Sequence, residues 1–562
     1  MIGIGPILKS KVNSYVLWCA FLVLTSFFSC KPKKDYAHQR PNIILIYSDE
    51  LQFKDMGYFG GDFQTPRIDS LAHQAVVFNH VYSPSSMCTP SRYALLTGQF
   101  PGRCKHKYFL EANPYNEPYS IVWNTYLDSS TLTLPKLLSA NGYTTGMSGK
   151  WHLGPEDVLP GLLHPEDDAA NTQVQHKLQE HQDYVSHKVE QNGGFDKASS
   201  VMFGNFDRFT VKDLQFHNYP WVSRGAIRFL EDNANGERPF FLYLAPTSVH
   251  GPHHAKGLAN DYALTPEGYL PDVPQYRPDL AKIQSRIKEM SSPQSHRYVG
   301  MAMLDHQIGL VLEKLDELGI ADNTIVIFLP DHNTEPAKAT CYEKGLRIPM
   351  MIRGGKRYPN RLISRDIRTL DLFPTILEMA DVALPEHVPL DGQSLVPLLK
   401  GDLERRMDSI PIFAEAGYTR SVKKGRFKYI AFRYPRHIEE KIMNGELAYA
   451  PNYLDQVQEG LAIISEKKYP SYYHQDQLFD LVQDPYEQNN LAYDPQYTER
   501  LGEMKQLLSE HLGSFSHPFD LKPSAVMESK EYKRLVAETR KMEVEHMDWF
   551  KRDWGKIVWP PK

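Results

Sequence analysis

Cys88 opens the run Cys88-Thr89-Pro90-Ser91-Arg92, and its setting suits a nucleophile or the precursor of one. Thr89 is a good N-cap, Pro90 fits a first helical position and Gly98 fits a C-terminal stop, so Cys88 is expected at the mouth of a short helix. Free backbone N–H groups and the positive end of the helix favour an anion there, and Arg92, one turn in, adds a guanidinium to the same place. Elsewhere, Asp49, Glu50 and Asp331 are oxygen donors suited to a hard divalent cation. Lys150, His152, His250 and His332 are cationic or proton-carrying groups. Together these residues comprise a nucleophile, an anion site, a cation site and proton carriers.

Such groups act only if the backbone brings them together. Asn42 to Ser48 reads as a continuous apolar run of strand length, as expected for a strand buried on both faces, and it ends in Asp49-Glu50. Thr324 to Leu329 repeats that pattern ahead of Pro330-Asp331-His332, Phe240 to Ala245 precedes His250, and Tyr143 to Ser148, more weakly, precedes Lys150 and His152. Between strands lie helices, the clearest from Arg297 to Leu318, where Tyr298, Met301, Leu304, Ile308, Val311, Leu315 and Leu318 recur three or four apart before Gly319. Strands alternating with helices imply an α/β fold with a mostly parallel sheet, whose ligands bind beyond the carboxyl ends of the strands. Each of these ionisable clusters falls at such an end.

Cys-x-Pro-Ser-Arg resembles the signature at which type I sulfatases, of the alkaline-phosphatase superfamily, have their cysteine oxidised to Cα-formylglycine. The likeness continues through Asp49-Glu50, Gly149-Lys150-Trp151-His152-Leu153-Gly154, His250, Asp331-His332 and the stretch Lys338 to Pro349. It reaches Asp391-Gly392, Leu398-Leu399-Lys400-Gly401, Leu478-Phe479-Asp480-Leu481, Asp484-Pro485 and Asn490-Leu491. The resemblance implies a calcium ion held by Asp49, Glu50, Asp331, His332 and an oxygen of modified Cys88. It implies that the hydrated aldehyde attacks sulfur with Asp331 as base, and that His152 assists the later expulsion of sulfate. Arg92, Lys150, His250 and Lys338 would hold the sulfate oxygens, with His250 and Lys338 protonating the leaving group. A maturating enzyme that makes formylglycine is an implied partner, and a sulfated carbohydrate is the implied substrate.

Two departures bear on this set. Glu50 stands where the family commonly has a second aspartate, so its ligation would have altered geometry. The usual Ser-Asp-His-Gly is here Pro330-Asp331-His332-Asn333, which changes the local turn but keeps both side chains.

At the N-terminus, Lys9 and Lys11 precede an apolar stretch from Tyr15 to Phe28, the length of a signal peptide and short for a spanning helix. Phe27-Phe28-Ser29-Cys30 resembles a bacterial lipobox. The expectation is export, lipidation at Cys30 and a periplasmic or outer-membrane lipoprotein, with 1–29 as leader and 30–39 as anchor and tether. Residues 40–395 would form the catalytic domain. Residues 396–562 would form a smaller α+β domain with a small antiparallel sheet and an amphipathic stretch from Lys530 to Trp554 that docks through Leu535, Met542 and Phe550. Of 562 residues, 41% are hydrophobic and 23% charged, as in soluble globular proteins. The net charge of -5 argues against a broad electropositive surface for nucleic acid.

Five cysteines leave three, Cys88, Cys104 and Cys341, once the leader and Cys30 are set aside, which makes no disulfide framework. Cys104 and Cys341 fit either a pair or two inert buried thiols. Arg103 to Tyr108 is a basic and aromatic cluster that fits a sugar contact or a solvated loop. The histidines from His164 to His187 show no metal spacing. Two other functions fit the same motifs: phosphoester or phosphonate hydrolysis, and glycan binding without turnover by a lipoprotein.

Overall fold

A computed structural model describes residues 39–541, except 115–116, 155–158, 160, 272–277, 291, 335–336, 385, 387, 403–409, 455–464 and 518. The leader, Cys30, Met542 and Phe550 lie outside the described residues. From Arg40 onward the chain forms one compact unit. Among the described residues no helix is long and apolar enough to cross a membrane.

The apolar run Asn42–Ser48 is a strand with every residue buried, because it lies inside a nine-stranded sheet with neighbours on both sides. Thr324–Pro330 and Phe240–Ala245 flank it in parallel, in a register that sets Ile46 beside Phe328 and Leu244. Beyond Phe240–Ala245 come Thr144–Lys150 and then Lys197–Met202, also parallel. On the other side Arg347–Arg353 is antiparallel to both Thr324–Pro330 and Val76–Tyr82, and the short strands Arg361–Ile363 and Ile367–Arg368 pair with Val76–Tyr82 in parallel. The expected mostly parallel sheet is therefore present, with one reversed strand.

Helices cover both faces. One face buries Ile43, Leu45, Tyr47 and Phe241 with Leu95, Phe373 and Val189; the other buries Ile44, Ile46 and Leu242 with Trp221, Leu304 and Ile308. Consecutive residues of one strand thus enter opposite cores, which is why these strands read as unbroken apolar runs. The long helix spans Ser292–Glu317, a turn earlier at its start than the periodicity suggests, and Gly319 beyond it adopts φ 69° as its stop.

A four-stranded antiparallel sheet follows, ordered Ile412–Ala416, Thr419–Lys424, Phe427–Phe432, Asp476–Asp480. The helix Thr498–Leu512 packs through Met504 and Leu508 into the same core as Val422 and Leu478. The last described helix, Lys530–Lys541, docks through buried Tyr532 and Leu535. Lys428, on the third of these strands, lies 3.0 Å from Glu343, just ahead of the reversed strand of the large sheet, and 3.0 Å from Glu487.

Two buried carboxylates around one ammonium cannot both be fully compensated. Burial, with Glu343 adding to it against the pull of Lys428, pushes Glu487 up to about 7. Because the folded pKa lies above the ordinary value, ionised Glu487 is disfavoured in the fold, and stability is expected to fall as pH rises from about 4.5 to about 7. Glu487→Gln should flatten the chemical-denaturation midpoint across that window by an amount worth at most about 3 kcal/mol. An unchanged profile in the variant would remove Glu487 as the titrating group.

Candidate active site

The helix that carries Cys88 runs Cys88–Thr97 and ends at Gly98 with φ 69°, the stop expected there. Its start differs from the expectation: Met87 is the cap residue, and Thr89 and Pro90 lie inside the first turn. Tertiary contacts fix this start. The Ser86 hydroxyl bonds Thr340 at both backbone groups, and Ser83 and Ser91 hydroxyls both donate to the Ser85 carbonyl. Pro90 is tolerated because first-turn N–H groups have no intrahelical partner to lose. Cys88 still sits at the positive end of the helix.

Around its sulfur the strand ends converge. Cys88 Sγ is 3.4 Å from Asp49 Oδ1 and 3.3 Å from His332 Nε2. Asp49, Cys88, Asp331 and His332, all buried, bring one ligand atom each within 4.8 Å of the others. His332 Nδ1–H donates to the Asn333 carbonyl at 3.0 Å, which leaves Nε2 bare and facing this centre. Two carboxylate oxygens and a bare imidazole nitrogen form a donor set that fits a divalent cation.

Glu50 does not join that set. It adopts φ 60°, its N–H bonds Asp331 Oδ1 at 3.2 Å, and its carboxylate turns toward Lys338, with which it is ion-paired, and toward His250 Nε2 at 3.4 Å. Glu50, Cys88 and His250 make a second, adjoining group. The longer side chain thus serves the residues expected at the leaving-group side.

Two cations are wholly buried here. Lys150 Nζ lies 2.5 Å from Asp49 Oδ2; Arg92 donates to Asp331 Oδ2 at 3.2 Å, to the Lys150 carbonyl at 3.1 Å and to the Tyr243 hydroxyl at 3.3 Å. Burial alone would raise Asp49, but Lys150, His250 and Arg92 outweigh it and hold its carboxyl well below the usual range. Asp331 goes the other way, raised by burial and by the neighbouring Asp49 charge. Burial and the Lys150 and Arg92 charges hold His152 well below its ordinary value, so it is a neutral imidazole. Lys338 is lowered to about 8 by burial, against the pull of Asp49.

The Cys88 thiol itself is pushed well above its ordinary range by burial and by Asp49, more than Lys150 and Arg92 relieve. A thiol held protonated in this way is a poor nucleophile.

The backbone is strained at the same places. Glu50, His152 and Ala339, next to Lys338, are non-glycine residues with φ near 60°, a cost that persists where surrounding structure enforces it. Gly149 has φ 99°, and a Cβ there would lie 2.2 Å from the Ala245 carbonyl oxygen, so only glycine lets the chain turn Lys150 and His152 into the site.

Several supporting residues carry no motif. Asn205 Nδ2 lies 3.3 Å from His250 Nε2, whose ring Nδ1–H donates to the Gly251 carbonyl at 3.1 Å. His217 straps the segment that carries His250, accepting from Thr247 Oγ1 at 3.1 Å and donating to the Pro252 carbonyl at 2.8 Å, and burial pushes it down to about 3. Asn205 follows the strand Lys197–Met202, so a search beyond every strand end finds it. His217 has no comparable signal.

Other expectations resolve simply. Cys104 and Cys341 are free and buried, not paired. Arg103 is committed to Asp391 and Ser514, and Tyr108 beside it is exposed. His176, His181 and His187 lie on the helix Thr172–Gly193, and no metal-binding group forms there among the described residues.

Residues 41–382 match the sulfatase family profile. The chain is 25% identical over 521 residues to an ulvan-active sulfatase of Formosa agariphila, covering 89% of this chain and 87% of that one. It is 26% identical to an N-acetylgalactosamine-6-O-sulfatase of Bacteroides thetaiotaomicron over 84% of this chain and 93% of the other. A structure solved within work on glycosaminoglycan metabolism by Bacteroides thetaiotaomicron superposes with a TM-score of 0.57 at 22% identity, covering 84% of this chain and 99% of that one. Another, solved with its substrate D-glucosamine-2-N,6-O-disulfate, gives a TM-score of 0.52 at 20% identity, covering 84% of this chain and 98% of that one. The family match, on this α/β fold with its strand-end site, makes the protein a sulfuric ester hydrolase. The chain belongs to the sulfatase family.

Proposed function

We propose that this protein removes sulfate from a sulfated polysaccharide or oligosaccharide, using a Cα-formylglycine made from Cys88 by a maturating enzyme and a bound calcium ion. The observation that carries the reading is Cys88 itself: an inert thiol at a helix N-terminus, walled by two carboxylates and two buried cations. The names of its relatives, acting on ulvan or N-acetylgalactosamine 6-sulfate, support a glycan as the substrate.

Asp49, Asp331 and His332 would hold the cation. When present, the aldehyde, hydrated by one water, would supply a hydroxyl as the attacking group, with Asp331 to take its proton, and the cation would supply fixed positive charge beside it. Arg92 and Lys150, buried and rigidly paired, set positive charge where the sulfuryl oxygens carry theirs. Lys338, with a pKa of about 8, is mostly protonated at neutral pH and can give its proton to the departing alkoxide, with His250 alongside. Glu50 restrains both. Neutral His152 would be the group to accept a proton from residue 88 as sulfate departs.

The test is sulfate release from defined sulfated oligosaccharides by protein co-produced with a formylglycine-generating enzyme. Release from one glycan class is expected. Preferential phosphate release from aryl esters would instead assign a phosphoesterase. Exhaustive chelation should abolish turnover and added calcium should restore it; full activity in chelator rules out the cation.

We further propose that the protein is exported and anchored through lipid on Cys30, in the periplasm or outer membrane. Mass spectrometry of protein from the native host should find a mature chain beginning at acylated Cys30, and an unmodified N-terminus elsewhere would overturn the anchor.

A further inference from the structure

We infer that the cleft between the two sheets binds a second, anionic sugar residue of the substrate chain, separate from the residue that loses its sulfate. This deepens the sulfatase reading and rests on it.

A cavity of about 470 Å³ lies in that cleft, within the range of small-ligand sites. Its carboxylates are already committed. Glu343 holds Lys428 and the Tyr82 hydroxyl, each at 3.0 Å, and Asp366 is ion-paired with Lys423. Arg426, also in the wall, is paired with Asp480. Arg347 is not neutralised in this way. Its Nε donates to the Asn79 carbonyl at 2.9 Å, its guanidinium lies 5.4 Å from the centre of the Phe53 ring, and its two Nη groups meet no partner among the described residues. Lys344 adds a further cation, 5.6 Å from the centre of the Tyr486 ring.

Tyr486 and Val482 also line this cavity and are 57% and 71% exposed. An exposed aromatic face beside a guanidinium fork fits a charged pyranose: its C–H face lies on the ring while its carboxylate or sulfate takes the fork. Asn333 connects this cavity to the reaction centre, because it lines the cavity and its carbonyl accepts the His332 Nδ1 proton. A chain that presents a sulfate to residue 88 therefore has an adjacent place for another acidic residue.

Calorimetry on the full chain tests this, with hexagalacturonate as a carboxylate-only probe and sulfated maltohexaose as a sulfate-only probe. At least one is expected to bind, and Arg347→Ala should weaken that binding roughly tenfold, the scale of one charge-assisted contact. Tyr486→Ala, at an exposed position, should weaken it as well, and it carries the test if the arginine variant folds poorly. Dependence on Arg347 for hexagalacturonate assigns a uronic residue; dependence for the sulfated probe assigns a sulfated one. Equal affinity of wild type and both variants, or no binding of either probe, overturns the assignment. Turnover of 4-nitrophenyl sulfate, which has no second sugar residue to place in the cavity, should be unchanged in both matured variants. Absence of sulfate release by matured wild type from both 4-nitrophenyl sulfate and the sulfated oligosaccharides, with Arg347-dependent binding intact, would overturn the sulfatase reading and leave the anion site standing.

Discussion

Cys88→Ala should abolish sulfate release, a loss on the order of 10⁶-fold, the scale seen when an enzyme loses its nucleophile. The fold should survive, because the side chain is small and its neighbours Asp49, His332 and Asp331 are held by other bonds: Asp49 by Lys150, His332 by the Asn333 carbonyl and Asp331 by Arg92. Matching denaturation curves for variant and wild type, with no released sulfate, would assign the loss to chemistry. Substantial turnover by the alanine variant would rule out residue 88 as the nucleophile's source. The experiment is sharp because the thiol is not reactive as it stands: an activity that required only a cysteine would need the pKa lowered, and burial with two adjacent carboxylates does the opposite.

Arg92→Ala should be costly twice over. The guanidinium is fully buried, donates to Asp331 Oδ2 and lies 3.9 Å from Asp49 Oδ2, so its removal leaves buried carboxylates with one cation fewer. Deleting one partner of such a pair destabilises by about 3–5 kcal/mol. Loss of a donor to the transferring group should lower kcat/KM by on the order of 10²–10³-fold. The stability loss should be greatest in chelator and smaller with calcium, since a bound cation takes over part of the compensation. An equal loss in both conditions would separate Arg92 from the cation centre. Arg92→Lys should recover part of the stability and little of the rate, because a single ammonium cannot reach Asp331, Tyr243 and the Lys150 carbonyl together.

What the sequence made legible follows from the packing. Asn42–Ser48 and Thr324–Pro330 are buried on both faces, so composition alone marks them as strands, and the ionisable residues just beyond them are automatically at the reactive edge. The start of the Cys88 helix was less legible, since Thr89 and Pro90 favour a later start and bonds to distant Thr340 decide otherwise. Glu50 shows the same limit. Its position at a strand end was readable, but its departure from the Asp49 cluster depends on a backbone φ of 60° and on Lys338, far away in sequence. His217 was invisible because it supports His250 through a loop and touches no reacting group.

The reversed strand Arg347–Arg353 sets how this edge can be remodelled. A parallel neighbour of Thr324–Pro330 would require the chain to cross back over the sheet before re-entering it. Here the chain leaves one strand and enters the next at the same end, so Asp331, His332, Lys338 and Glu343 all stay at that end of the sheet. Any change to the segment between the two strands has to keep Lys338, which pairs with Glu50, and Thr340, whose backbone groups bond Ser86. Remodelling of this edge is therefore coupled to the Cys88 helix, because the segment that closes the mouth is the one that sets where that helix begins.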